Sequence, residues 1–203
     1  MQLALDNFIG EYGRLNPDTA ARYYNIGKIL LSQKDYDAAL TCHYETLDIR
    51  LKLYGHNHAD TADSYYQIGR AQLEKKDYKS ALQSFEQALD IRENLHGKIH
   101  LNFSSTCNQI GATKYYLKEY DSALHWHQQA LDIRVALYGK EHASSANSYS
   151  CIAECQCKMQ DYDSALESGQ QALDIRLKLY GHNHADTADS YYQIGGAQLE
   201  KND

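Results

Sequence analysis

The stretch YGHNHADTAD runs from Tyr54 to Asp63 and returns, unchanged, from Tyr180 to Asp189. It sets His56, His58 and Asp60 in a His-x-His-x-Asp cluster, copied as His182, His184 and Asp186. Imidazole nitrogens and a carboxylate so close together are suitable ligands for a divalent metal ion. A second group, Cys151, Cys155 and Cys157, offers three thiols in one short segment. Without a fourth ligand it is a weak zinc signal, and buried free thiols are the expectation. His125 and His127 flank Trp126 on a helical stretch, where residues two apart point to different faces. No Gly-rich phosphate loop and no separable Ser-His-Asp set is present.

The His-x-His-x-Asp cluster carries its own control, because the chain is periodic. The segment LDIR begins at Leu47, Leu89, Leu131 and Leu173, a step of 42 residues each time. The same step links Asp35-Tyr36, Asp77-Tyr78, Glu119-Tyr120 and Asp161-Tyr162, and residues 47–69 are identical to residues 173–195. Aligned on this period, the His58 column reads Asn16, His58, His100, His142 and His184. The Asp60 column reads Asp18, Asp60, Asn102, Ser144 and Asp186, and the His56 column Arg14, His56, Lys98, Lys140 and His182. A metal ligand would not be exchanged for lysine or serine while its surroundings stay fixed. Asp, Asn and Ser are instead the residues that favour helix N-termini. The cluster is expected to open a helix, with His58 capping or packing in the loop, and no metal or other cofactor is assigned.

Each period reads as two helices. In the second, helix A runs from about Ala59 to Lys75 and carries Ala62, Tyr65, Ile68 and Leu73 near one stripe. Lys76-Asp77 makes the turn, with Asp77 as N-cap. Helix B runs from about Tyr78 to Leu95, and Gly97 closes it in a left-handed conformation that glycine adopts without steric cost. Small residues form two columns: Ala39, Ala81, Ala123 and Ala165, and Gly27, Gly69, Gly111, Ala153 and Gly195. A glycine inside a helix costs about 1 kcal/mol relative to alanine, so its recurrence predicts a neighbour that leaves no room for a Cβ. One pair cannot bury both apolar faces, but stacked pairs can.

The single array divides into the end of a preceding helix B (1–15), repeats at 16–57, 58–99, 100–141 and 142–183, and a fifth helix A (184–203). The match of residues 47–69 to 173–195 suggests recent duplication within a longer array.

Tyr65, Ile68-Gly69, Ala81, Phe85 and Ala88 resemble the large-and-small pattern of a tetratricopeptide repeat. The family's usual period is about 34 residues. Here Glu93 stands near the place where the family normally has proline, and helix B continues past it. The longer unit, with its LYG segment and His- and Asp-bearing loop, is similar to the repeats of kinesin light chains and nephrocystin-like proteins. The resemblance implies an all-α, right-handed solenoid of antiparallel helix pairs, a tetratricopeptide-like superhelix, with a non-catalytic protein-interaction role. It also implies that the A helices line a concave face.

On that face the Tyr doublets Tyr23-Tyr24, Tyr65-Tyr66 and Tyr191-Tyr192 are informative. Adjacent helical residues point about 100° apart, so if the first of each pair turns inward, Tyr24, Tyr66 and Tyr192 lean to the groove. Next comes an amide series, Asn25, Gln67, Gln109, Cys151 and Gln193, which can pair with the backbone of an extended peptide. Kinesin light chains are similar in placing asparagines there. One turn on stand Lys28, Arg70, Ala112, Glu154 and Gly196, so an acidic segment would suit the N-terminal half. Asn108 and Ser150 replace tyrosine in the middle units and are expected to leave a recess. The predicted partner is therefore a protein or peptide in extended conformation. The alternatives are a self-assembling module that stacks weakly head to tail through its terminal half-repeats, and the sensor or scaffold part of a larger multidomain protein.

Bulk properties agree. The 203 residues carry a formal charge of −7, against phosphate-driven nucleic-acid binding. Mean hydropathy is −0.66, and no apolar run approaches the ~18 residues of a membrane span. No signal peptide is recognisable. An odd count of five cysteines argues against a disulfide framework, so a reducing compartment is the default and the cytoplasm the expected location. Eighteen tyrosines and a single proline, Pro17, complete a composition suited to long helices.

Overall fold

The computed structural model describes Gly10 and residues 13–202. The helix-B end read over Gln2 to Gly13 lies almost wholly outside the described residues. Among them are nine α-helices and no strand: α1 (Pro17–Ser32), α2 (Tyr36–Tyr54), α3 (Ala59–Glu74), α4 (Tyr78–His96), α5 (Leu101–Tyr116), α6 (Tyr120–Tyr138), α7 (Ala143–Lys158), α8 (Tyr162–Tyr180) and α9 (Ala185–Asn202). Packing divides the chain after Gly97 into two compact units, the first holding α1–α4 and the second α5–α9. Within each unit, antiparallel pairs stack in the manner of an all-α repeat solenoid.

Odd- and even-numbered helices begin and end by different rules. The turn out of each of α1, α3, α5 and α7 is tight, with Lys34, Lys76, Lys118 and Gln160 at φ between 62° and 67°. Lys76 N–H returns to the Leu73 carbonyl and Asp77 N–H to that of Gln72, the two bonds of a Schellman ending. Asp77 Oδ1 then caps α4 by accepting from Ser80 N–H at 3.3 Å. The even helices end at Gly55, Gly97, Gly139 and Gly181. Gly97 has φ 72° and ψ −177°, so it differs from the left-handed helical cap expected. Positive φ with extended ψ is open essentially to glycine alone.

The two small-residue columns are where helices meet. Ala39, Ala81 and Ala123 are wholly buried and Ala165 nearly so. A Cβ on Gly27 would stand 2.6 Å from the His43 ring, on Gly69 2.8 Å from Phe85, and on Gly111 2.8 Å from His127. These three mid-helix glycines are therefore paired in size with rings from the following even helix, whereas a Cβ on Gly195, the last of the column, would meet nothing within 4 Å. In α7/α8 the pairing changes to Ala153 with Gly169.

Candidate functional site

The opening motif proves to be a helix start. His58 Nδ1 accepts the Asp60 backbone N–H at 3.1 Å, and His100, His142 and His184 do the same for Asn102, Ser144 and Asp186 at 3.2 Å. Asn16 supplies the equivalent oxygen to Asp18 N–H at 2.8 Å. Each cap is side chain to backbone, satisfying one of the N–H groups that a helix start leaves open. The ring is held by stacking: Tyr54 lies on His58 at 4.4 Å, Tyr138 on His142 at 4.5 Å and Tyr180 on His184 at 4.3 Å. Among the described residues, no three His, Cys, Asp or Glu side chains gather as ligands to one ion. All five cysteines are free thiols. Burial pushes Cys155 up to about 12 and Cys151 up to about 11, so neither is a thiolate nucleophile at neutral pH.

In the first unit, α1 and α3 present a polar and aromatic face. Tyr24 and Tyr66 are half-buried, while Asn25 and Lys28 are exposed. Tyr24 meets His43 edge-on at 6.1 Å and Tyr66 meets Phe85 at 5.7 Å. Gln67 is enclosed: its Nε2 donates to Tyr24 Oη at 3.2 Å, and its Oε1 accepts from Arg70 at 3.4 Å. Its amide is thus partnered within the chain. Lys28 and Arg70 share a cleft with Leu31, Tyr36 and Glu74.

In the second unit, α5, α7 and α9 carry the corresponding positions. Asn108 and Gln109 are half-buried, and Asn108 Oδ1 lies 3.1 Å from His127 Nδ1. Ser150 is buried, and its hydroxyl has no hydrogen-bond partner. Gln193 Nε2 donates to Glu154 Oε1 at 2.6 Å, whereas Gln193 Oε1 is buried and unpartnered. Tyr192 is 84% exposed. Tyr192 and Gln193 border an open cleft of ≈ 1020 Å³, together with Tyr115, Tyr116, Ala153, Glu154, Gly169 and Ile194 among others.

A tetratricopeptide repeat family model matches residues 18–94 and 144–203, and a second one matches 104–144. The chain belongs to the tetratricopeptide repeat family. No curated protein matches. Among solved structures, the chain is similar to BtubC (BKLC) from P. vanneervenii, at 16% identity and TM-score 0.83, over 98% of this chain and 80% of that one. It is similar to the nearly identical TPR-like repeats of a Podospora anserina putative kinesin light chain, at 16% identity and TM-score 0.80, over 92% and 89%. It also resembles the apo form of RapI, at 15% identity and TM-score 0.79, over 99% of this chain and 55% of that one. At such identities the likeness is one of fold. Tetratricopeptide repeats are in general non-catalytic scaffolds for protein interaction. No helix among the described residues is long and apolar enough to cross a membrane.

One device of this tetratricopeptide array went unread in the sequence: the arginine of LDIR. Arg50, Arg92, Arg134 and Arg176 are all buried. Arg50 Nη1 donates to the Asp60 carbonyl at 2.8 Å and to Ser64 Oγ at 3.0 Å, tying α2 to the helix after it. Arg134 repeats this on Ser144 and Ser148, and Arg176 on Asp186 and Ser190. The signal was available, since Ser64, Ser148 and Ser190 each stand 14 residues beyond their arginine. Arg50 also lies over the Tyr24 ring at 4.9 Å and Arg92 over Tyr66 at 4.6 Å. The tyrosines of the candidate face are therefore held from beneath by buried cations.

Proposed function

We propose that this tetratricopeptide repeat protein is a non-catalytic scaffold that holds an extended segment of a partner protein along the face of its odd-numbered helices. In the first unit Tyr24, Asn25, Lys28, Tyr66, Gln67 and Arg70 take part. In the second the participants are Asn108, Gln109, Ser150, Tyr192 and Gln193. The observation that carries the reading is the first unit's surface: half-buried tyrosines fixed edge-on against internal rings, beside the exposed Asn25 and Lys28. Rigid aromatics with one open edge bury area at little entropic cost, and neighbouring polar groups then set register. Lys28 and Arg70 favour acidic residues in the segment bound there. Gln67, already partnered, orders Tyr24 and Arg70 and leaves Asn25 as the amide free to meet peptide backbone. The test is a peptide array followed by titration of the best acidic sequence. Combined Asn25→Ala, Lys28→Ala and Arg70→Ala is expected to weaken binding by roughly 1–3 kcal/mol, the scale of a hot-spot loss, with the thermal midpoint held. An array without hits, or a variant that binds as well as the parent, would overturn the proposal.

A second reading, head-to-tail self-association, is favoured by one comparison. α9 copies α3 residue for residue from Ala185 to Gly195, yet α3 is covered by α4, and among the described residues no helix covers the same face of α9. Ala62 is wholly buried and its counterpart Ala188 exposed; Tyr192 and Leu199 are 84% and 71% exposed. The proposed N-terminal counterpart, including Leu3 and Leu5, lies outside the described residues. Contacts between two different surfaces build open rows. Mass measured by light scattering should rise with concentration and cease to do so in Ile194→Glu/Leu199→Glu; a constant mass in the parent ends this reading.

A further inference from the structure

The large cleft of the second unit borders Gly169, where the ring of an aromatic pair is missing. Elsewhere the even helix sends His43, Phe85 or His127 beneath a glycine of the preceding odd helix. Over two of these rings a tyrosine closes edge-on. In α7/α8 both members are absent: Ser150 occupies the tyrosine column and Gly169 the ring column. Ile194 leans partway in, since a Cβ at Gly169 would lie 3.0 Å from its Cγ1. The remaining space opens onto a cleft with small residues, Ala153, Ala165 and Gly169, along its floor.

The polar groups around that space are short of donors. Gln193 Oε1, on the cleft wall, is buried with no partner, whereas the same atom of its counterpart Gln67 accepts from Arg70 at 3.4 Å. Glu154 uses Oε1 to accept from Gln193. Glu154 is exposed, yet partial loss of hydration raises its carboxyl from the ordinary carboxylate value, against the opposing Gln193 hydrogen bond and the pull of Arg176 and Lys158. Of the charged groups on the cleft wall, Glu154 and Glu200 outnumber Lys158. Tyr115, Tyr116 and Tyr192 add ring faces and edges to the rim.

We infer that this cleft receives an arginine side chain from the bound partner segment. A guanidinium is flat, carries five N–H donors and no acceptor, and matches a carboxylate in a two-bond fork. It fits a slot vacated by a ring, satisfies acceptors that lack donors, and stacks on tyrosine. The chain already uses that chemistry internally, with Arg92 over Tyr66 at 4.6 Å and paired to Asp63 at 2.5 Å. The aliphatic stem lies on Ala153 and Gly169. The partner chemistry thus differs between units: acidic residues suit Lys28 and Arg70 of the first, and an arginine suits Glu154 of the second.

This deepens the scaffold reading and rests on it, but its test does not require the long peptide. The probe is acetyl-glycyl-arginyl-glycinamide, titrated into the isotopically labelled full chain and followed by amide chemical shifts. Saturable shifts are expected at Glu154, Gly169, Gln193 and Gly195. The citrulline tripeptide, the same shape without the charge, is expected to bind at least tenfold more weakly. Rebuilding the ring pair as in α3/α4, by Ser150→Tyr, Ala153→Gly and Gly169→Phe, should abolish the shifts. If that variant does not fold, Glu154→Lys at the solvent edge is decisive and should abolish them alone. Shifts that are absent, equal for citrulline, or unchanged in Glu154→Lys overturn the arginine site. Tripeptide binding with an empty peptide array would leave this site standing and remove the longer groove, and the reverse result would do the opposite.

Discussion

The ring column offers a perturbation whose sign follows from the chain's own alternatives. His43 is wholly buried, and neither ring nitrogen has a hydrogen-bond partner. Phe85 occupies the same column with the same surroundings: a glycine beneath, at 2.8 Å from a would-be Cβ, and a tyrosine edge-on at 5.7 Å. His43→Phe therefore enters a site whose geometry already accepts phenylalanine. It removes a buried donor and acceptor that each lack a partner, worth about 1–3 kcal/mol, less about 1 kcal/mol for the larger ring. A net gain of about 0–2 kcal/mol at pH 7.5 should raise the thermal midpoint by up to roughly 6 °C. The pH dependence is the sharper test. Burial, then the nearby Arg70, Arg50 and Lys28, lowers His43 from 6.5 to about 4. Because the folded pKa lies below the unfolded one, the unfolded chain binds the proton more tightly. The His43 contribution is complete above pH 6.5, declines as pH falls, and is lost below about 4. At pH 5 the parent has forfeited about 2 kcal/mol that His43→Phe retains. Urea unfolding at pH 7.5 and pH 5 measures both numbers. A variant less stable than the parent at pH 7.5, or a gap that does not widen toward pH 5, would refute the buried, unpartnered ring.

Other outcomes follow from the same packing. Gly69→Ala drives a Cβ to 2.8 Å from Phe85 and should cost about 1–2 kcal/mol net of helix propensity, whereas Gly195→Ala meets nothing within 4 Å and should gain up to about 1 kcal/mol; thermal midpoints that move the same way contradict the packing. Lys76→Gly relieves a φ of 67° and should stabilise by about 0.5–1 kcal/mol in urea unfolding. His56→Lys with His182→Lys should change stability by less than about 0.5 kcal/mol, and dialysis against a chelator should leave the thermal midpoint fixed; elemental analysis finding stoichiometric tightly held metal would oppose this.

What the sequence made legible is what depends on spacing within one helix pair. The period, the helix limits to within a residue or so, the Asp77 cap and the crowding at Gly27, Gly69 and Gly111 all follow from patterns repeated at fixed separation. The two readings offered for His58 are both realised, since its ring caps α3 and stacks on Tyr54. Illegible parts depend on which polar group meets which across helices. Gln67 reads as a groove amide by its column, yet its partner Tyr24 is 43 residues away and turns it into an internal brace. The LDIR arginines read as a marker of period, because nothing in an arginine's own neighbourhood announces that it will be buried. Burial comes from the carbonyl and hydroxyl that the next odd helix offers it, 10 and 14 residues on.

Within this chain, identical residues come to different ends, and that bears on where its specificity resides. Ala62 and Ala188 share their flanking sequence, and one is sealed while the other is exposed. Gln67 and Gln193 likewise differ in partner, Tyr24 for one and Glu154 for the other. The repeated residues build nearly the same scaffold each time: caps, glycine-and-ring contacts and arginine ties. What changes a surface is the substitution that breaks the column, as Ser150, Gly169 and Glu154 do together. A ligand that read only the repeated residues would bind each repeat alike and gain no register. One that meets Lys28 and Arg70 would be placed on the first unit, and one that meets Glu154 on the second. Selectivity in this protein is therefore to be sought in the departures from its repeat.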